Sequence, residues 1–117
     1  MARHWIKLYI RTGRALAAVL SDREWAALTR LALYTRYRDN TIRAEDGTPA
    51  STEWIAALLG RSVRQTQEIL RALVAHGAIR RERAGRHYVY RVSDAICYRG
   101  APIDDRSSWR IRRRSAR

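Results

Sequence analysis

A glycine followed two residues later by a serine, Gly60-Arg61-Ser62, separates two amphipathic runs, and this punctuation constrains the chain more than any other feature. Glycine takes a positive φ without steric cost and so ends a helix. Serine accepts a hydrogen bond from unpaired backbone N–H groups and so begins one. Before the glycine, "STEWIAALLG" offers Ser51 as an N-cap and Trp54, Ile55, Leu58 and Leu59 as apolar residues of a short helix. After it, Ser62 and Gln65 stand three apart, the spacing of a capping box. Val63, Thr66, Leu70, Leu73 and Val74 then share one helical face, and Gly77 marks the stop.

The flanking segments extend the pattern. "SDRE" is a second capping box, with Ser21 and Glu24, opening a core helix expected from Asp22 to about Tyr37 through Trp25, Leu28, Leu31, Ala32 and Tyr34. "HWIKLYI" reads as a strand or as the entry to a helix, and "RALAAVL" after it is helical in propensity. The polar stretch 38–51 is turn-forming at Asp46-Gly47 and Pro49, with room for a short strand around "TIRA". "AIRRERAGRHYVYRV" reads as two strands about an Ala84-Gly85 tip, with Ile79, Tyr88, Tyr90 and Val92 facing the core by alternation. From Gly100 the periodicity stops, and a flexible basic tail over 100–117 is expected.

Composition narrows the function classes. The 117 residues suffice for one domain. No apolar run is long enough to span a bilayer, no signal peptide is evident, and the default compartment is cytoplasmic. Cys97 is the only cysteine, so neither an intrachain disulfide nor a cysteine-rich metal site is expected, and no cofactor motif occurs. The adjacent acidic pairs Glu45-Asp46 and Asp104-Asp105 lack a partner histidine or a glycine-rich motif, so an enzyme is not expected. The net charge is +13, and residues 1–60 contribute 9 basic and 6 acidic residues against 15 and 5 after residue 60. Such a balance points to a polyanionic partner contacted by the C-terminal half.

A short helix, a tight glycine turn and a longer amphipathic helix make the helix-turn-helix arrangement, and an arginine-rich hairpin after it makes the arrangement winged. On "STEWIAALLGRSVRQTQEILRALVAHGAIRRE" and "YVYRV" the chain resembles the winged-helix superfamily over about residues 21–93. The expected fold is α+β: a mainly helical winged helix-turn-helix over 21–99 with a two-stranded β-wing, an N-terminal segment 1–20, and the basic tail. "WIKLY", "LSDREW" and "DGTP" before "STEWIAALLG" resemble the N-terminal domain of phage replisome organisers and DnaD-like replication proteins, over about residues 4–80. That resemblance implies binding of origin DNA and self-association, for which "WIKLYI" is the candidate segment. Members of that group usually continue into a domain that binds a helicase or its loader, whereas this chain runs into a basic tail. Double-stranded DNA is thus the expected partner, with a homodimer and a replication protein as further candidates and no membrane.

Three function classes stay open: a replication initiator or organiser, a small transcriptional repressor, and a winged-helix module for protein or RNA. For DNA the candidate contacts on the third helix are Arg61, Ser62, Arg64, Gln65, Glu68 and Arg71. Arginine suits guanine, glutamine suits adenine and glutamate suits cytosine. The bland readings are a solvated helix face, capping for Ser62, and local pairing of Glu68 with Arg64 or Arg71. On the wing the candidates are Arg80, Arg81, Arg83, Arg86 and His87, with Arg83 and Arg86 expected to project furthest. On the tail they are Arg110, Arg112, Arg113 and Arg114, which would add affinity without reading sequence.

Overall fold

The computed structural model describes residues 7–36 and 39–98. Their order is β1 (Lys7–Leu8), α1 (Ile10–Val19), α2 (Asp22–Ala32), α3 (Thr52–Leu59), α4 (Val63–Ala75), β2 (Ile79–Ala84), β3 (His87–Val92) and β4 (Cys97–Tyr98). The architecture is α+β, four helices with an antiparallel β2–β3 hairpin, and it is compatible with a winged helix-turn-helix. The expected basic tail and its arginines lie outside the described residues.

Local chemistry sets the helix boundaries. Ser21 Oγ accepts from the Glu24 N–H while Glu24 accepts from the Ser21 N–H, and Ser62 with Gln65 repeats the exchange. Ser51 Oγ accepts from the Trp54 N–H at 3.0 Å. Caps of this kind contribute about 1 kcal/mol each. Gly60 ends α3 with φ 66° and ψ 36°, a left-handed conformation that costs other residues strain. Helix α2 stops at Ala32, short of the expected Tyr37. There the bonds shorten to Leu33 N–H to Arg30 and Tyr34 N–H to Leu31, and Thr35 leaves the helix to bridge Ile42.

Helix α4 is the hub of the core. It packs against α2, α3 and β2, with Thr66, Ile69, Leu70 and Leu73 buried, and the last three cluster with Leu28, Leu31, Ile55, Leu59 and Ile79. Burying each large aliphatic side chain is worth roughly 1.5–3 kcal/mol. The buried stripe is rotated from the expected one, since Ile69 is fully buried while Val63 and Val74 are 39% and 41% exposed. Val63 sits in the first turn, and Val74 flanks the gap between α4 and the hairpin.

The N-terminal part joins this same core. Leu16 of α1 and Leu20 after it belong to the cluster, and β1 pairs with β4 at the other end of the described chain, Leu8 opposite Cys97. The edge of Lys7–Leu8 that pairs is therefore filled within the chain; the rest of "HWIKLYI" before it lies outside the described residues. Between α2 and α3, residues 40–43 run beside β3: the Ile42 N–H donates to Tyr90 and the Val92 N–H donates to Asn40. This is the short strand expected around "TIRA", reduced to isolated bridges.

Asn40 ties these pieces together. It is 1% exposed with φ 58°, and its Nδ2 donates to the carbonyls of Val92 at 3.1 Å and Cys97 at 2.8 Å. Asparagine tolerates a left-handed backbone better than most residues, and here its amide also joins the hairpin to β4.

Replacing Asn40 by Ala should lower the unfolding free energy by about 2–3 kcal/mol, read as a lower urea midpoint, because two buried carbonyls lose their donor. An unchanged midpoint would remove Asn40 from this role. Burial, helped by the charge of Asp94, pushes the Cys97 thiol up to about 12. The thiolate is the reactive form, so Cys97 should resist iodoacetamide at pH 8 in the native protein and react once urea unfolds it. Rapid native alkylation would mean that β4 opens readily.

Candidate nucleic-acid interface

Pairing in the hairpin sorts its side chains onto two faces. Directly opposed residues share a face, and the face alternates along the strand. Ile79 with Val92, Arg81 with Tyr90 and Arg83 with Tyr88 lie on the face turned to the core and α4. Arg80 with Arg91 and Glu82 with Val89 lie on the other.

The five hairpin candidates are thereby divided. On the outer face Glu82 accepts Arg91 at 3.1 Å and Arg80 at 3.7 Å, so Arg80 is part of a local ion cluster. Arg81 and Arg83 turn toward α4, and their guanidinium carbons lie 4.3 and 5.8 Å from the centroid of the Tyr88 ring. The hairpin loop is Gly85-Arg86, with Gly85 at φ 64°, and Ala84 pairs with His87. The tip is therefore one residue later than the expected Ala84-Gly85. Arg86 stands in the loop, while Arg83 is one pair further in and donates through Nε to the Gly85 carbonyl at 3.2 Å.

Tyr88 corrects a second expectation. It is 44% exposed, whereas Tyr90 is buried at 7%. Both face α4, but the hairpin leans out past the end of the core, and only Tyr90 reaches it.

Along α4, Arg64, Gln65, Gln67, Glu68 and Arg71 are exposed, and Arg61 is exposed in the turn before it. With the buried stripe centred on Thr66, Ile69, Leu70 and Leu73, the opposite face at about 100° per residue centres on Arg64, Glu68, Arg71 and Ala75. Arg71 therefore sits near the middle of the exposed face. Gln65 is turned aside, and its Oε1 accepts from the Ser62 N–H at 3.3 Å. Ser62 Oγ is likewise used in capping. Among the described residues no ion pair joins Glu68 to Arg64 or Arg71, and none joins Arg61, Arg64, Arg71, Arg81, Arg83 or Arg86 to a carboxylate.

Gln67, Arg71 and Val74 of α4 face Arg81, Tyr88 and Tyr90 across a groove of about 490 Å³. Gln67 and Thr52 line it although sequence reasoning assigned neither a contact; Thr52 reaches the groove only through the fold. The candidates thus fall into two groups, the exposed residues of α4 with the inner hairpin face and its loop, and an outer patch where one glutamate pairs with two arginines. No group of three or more His, Cys, Asp or Glu among the described residues could hold a metal ion, and no helix among them is long and apolar enough to cross a membrane.

Removing the carboxylate of Glu82, as in Glu82→Gln, should release Arg80 and Arg91 and lengthen retention on heparin. The pairs are solvent-exposed, so the unfolding free energy should move by less than ~1 kcal/mol. Unchanged retention would mean that Glu82 does not restrain the two arginines.

No family model, no curated protein and no solved structure matches this chain. The functional reading of the surface is carried by its own chemistry.

Proposed function

We propose that the protein is a winged helix-turn-helix that binds double-stranded DNA, with α4 as the helix that enters the major groove and the β2–β3 hairpin as the wing. The observation that carries this reading is that, among the described residues, the arginines along α4 and the inner hairpin have no carboxylate partner, whereas on the outer hairpin face Glu82 pairs with both Arg80 and Arg91. A duplex supplies phosphates to satisfy such a surface, and a major groove admits a helix of this kind.

The roles divide by position. Arg64, Glu68 and Arg71, on the exposed face of α4, meet base edges. Arg61 in the turn, and Arg83 with Arg86 at the hairpin end, meet phosphates. Gln65 and Ser62 chiefly hold the helix start, which orients Arg64. Of the biological settings, replication initiation or organisation in a phage or plasmid is the one we favour, on the resemblance of "WIKLY" and "LSDREW". A small repressor is the alternative. The exposed Leu8, Ile10 and Val19 support self-association, which would set the spacing of two half-sites.

In fluorescence anisotropy with a duplex carrying the preferred site, Arg64→Ala should cost ~1–3 kcal/mol and relax preference at one position. Arg83→Ala should weaken all duplexes alike and reduce the salt slope by about 1. Equal losses on specific and random duplex for both variants would contradict this division.

A further inference from the structure

Tyr88 has no role in the duplex reading, yet among the described residues it is a large aromatic side chain left exposed, at 44%. Two depressions meet at it. One, of about 490 Å³, lies between α4 and the hairpin and holds Arg71 and Arg81. The other, of about 490 Å³, lies between the start of α3 and the hairpin loop and holds Arg86 and His87. They share Thr52, Tyr88 and Tyr90, so together they form one trough with tyrosines in its middle and arginines at both ends. Among the described residues, neither depression is lined by an aspartate or a glutamate. A third depression, near the junction of α4 and β2, differs, since Asp39 and Asp94 line it along with its arginines.

We propose that this trough binds an unpaired strand of nucleic acid, with one base stacked on Tyr88 and the phosphates held by Arg71, Arg81 and Arg86. The proposal shares the nucleic-acid reading of this face but assigns it a second, single-stranded ligand. A basic channel with an aromatic surface is the chemistry that recognises single strands, because every base has a π-face and every linkage carries a charge. A duplex cannot use it in the same way, since its bases are stacked on one another and present only their edges. The Arg81 guanidinium, 4.3 Å from the Tyr88 centroid, steadies the ring and keeps a donor fork in the trough. Thr52 adds a hydroxyl on the α3 wall. Arg71 and Arg86 also face the duplex in that reading, so a strand in the trough and a duplex on α4 are alternative ligands of one face.

The test uses the full chain and three labelled probes: a random duplex, a short oligothymidylate and the matching oligouridylate. Wild type, Tyr88→Ala and Tyr88→Phe are titrated by anisotropy, with thermal melts to confirm that each variant is folded. Wild type should bind at least one single strand, and the two single-strand probes tell DNA from RNA. Tyr88→Ala should weaken that binding about tenfold, while Tyr88→Phe stays within about twofold of wild type. Duplex affinity should stay within about twofold for both variants. A 2-aminopurine placed in the strand should be quenched by wild type and by Tyr88→Phe but not by Tyr88→Ala. The proposal is overturned if wild type binds no single strand. Equal weakening of strand and duplex by Tyr88→Ala, or loss with Tyr88→Phe as large as with Tyr88→Ala, would overturn it too. Duplex binding without single-strand binding would leave the groove-reading helix standing and remove the trough. Tyr88-dependent strand binding without duplex binding would do the reverse.

Discussion

Everything on the basic face depends on how α4 is held. Its buried stripe, Thr66, Ile69, Leu70 and Leu73, is gripped by α2, α3 and β2 together, so the direction of the opposite stripe is fixed. Gly60 makes this possible by taking a left-handed conformation that stops α3 and frees the chain to begin α4 at once. Ser62 and Gln65 then hold the first turn through a reciprocal pair of hydrogen bonds. The same bonds that define the helix start also fix where Arg64 stands, and they take Gln65 partly out of use as a base reader.

The hairpin adds the second half of the surface by a different rule. Alternation along β2 and β3 sends Arg81, Arg83 and Tyr88 toward α4 and sends Arg80 and Arg91 away, where Glu82 meets them. A run of basic residues that is uniform in one dimension thus becomes two faces with different electrostatic character. Glu82 pairs with two of the arginines, and the others have no carboxylate partner among the described residues.

Much of this was legible in the sequence where the determinants are local. Ser21–Glu24 and Ser62–Gln65 capping, the Ser51 cap, the Gly60 and Gly77 stops and the hairpin itself all follow from residues a few positions apart. What escaped is set by long-range contacts. Asn40 bonds to carbonyls 52 and 57 residues away, and nothing in "RDNTIRA" foretells that. The pairing of β1 with β4 joins two-residue strands from opposite ends of the described chain. The exposure of Tyr88 depends on how far the hairpin extends beyond α4, and the outward turn of Val74 depends on the gap between them. The site was legible as a set of arginines but not as a surface: which of them stand free, and which are held by Glu82, required the register.

The measurement that tests the account most directly is amide chemical-shift mapping of the ¹⁵N-labelled protein with a random duplex at low salt. The account predicts that the perturbed amides gather in residues 61–75 and 80–88, while α1 and residues 39–44 stay unmoved. Perturbations confined to α1, to residues 39–44 or to residues 101–117 would contradict it, because the duplex would then bind without the face that α4 and the hairpin build.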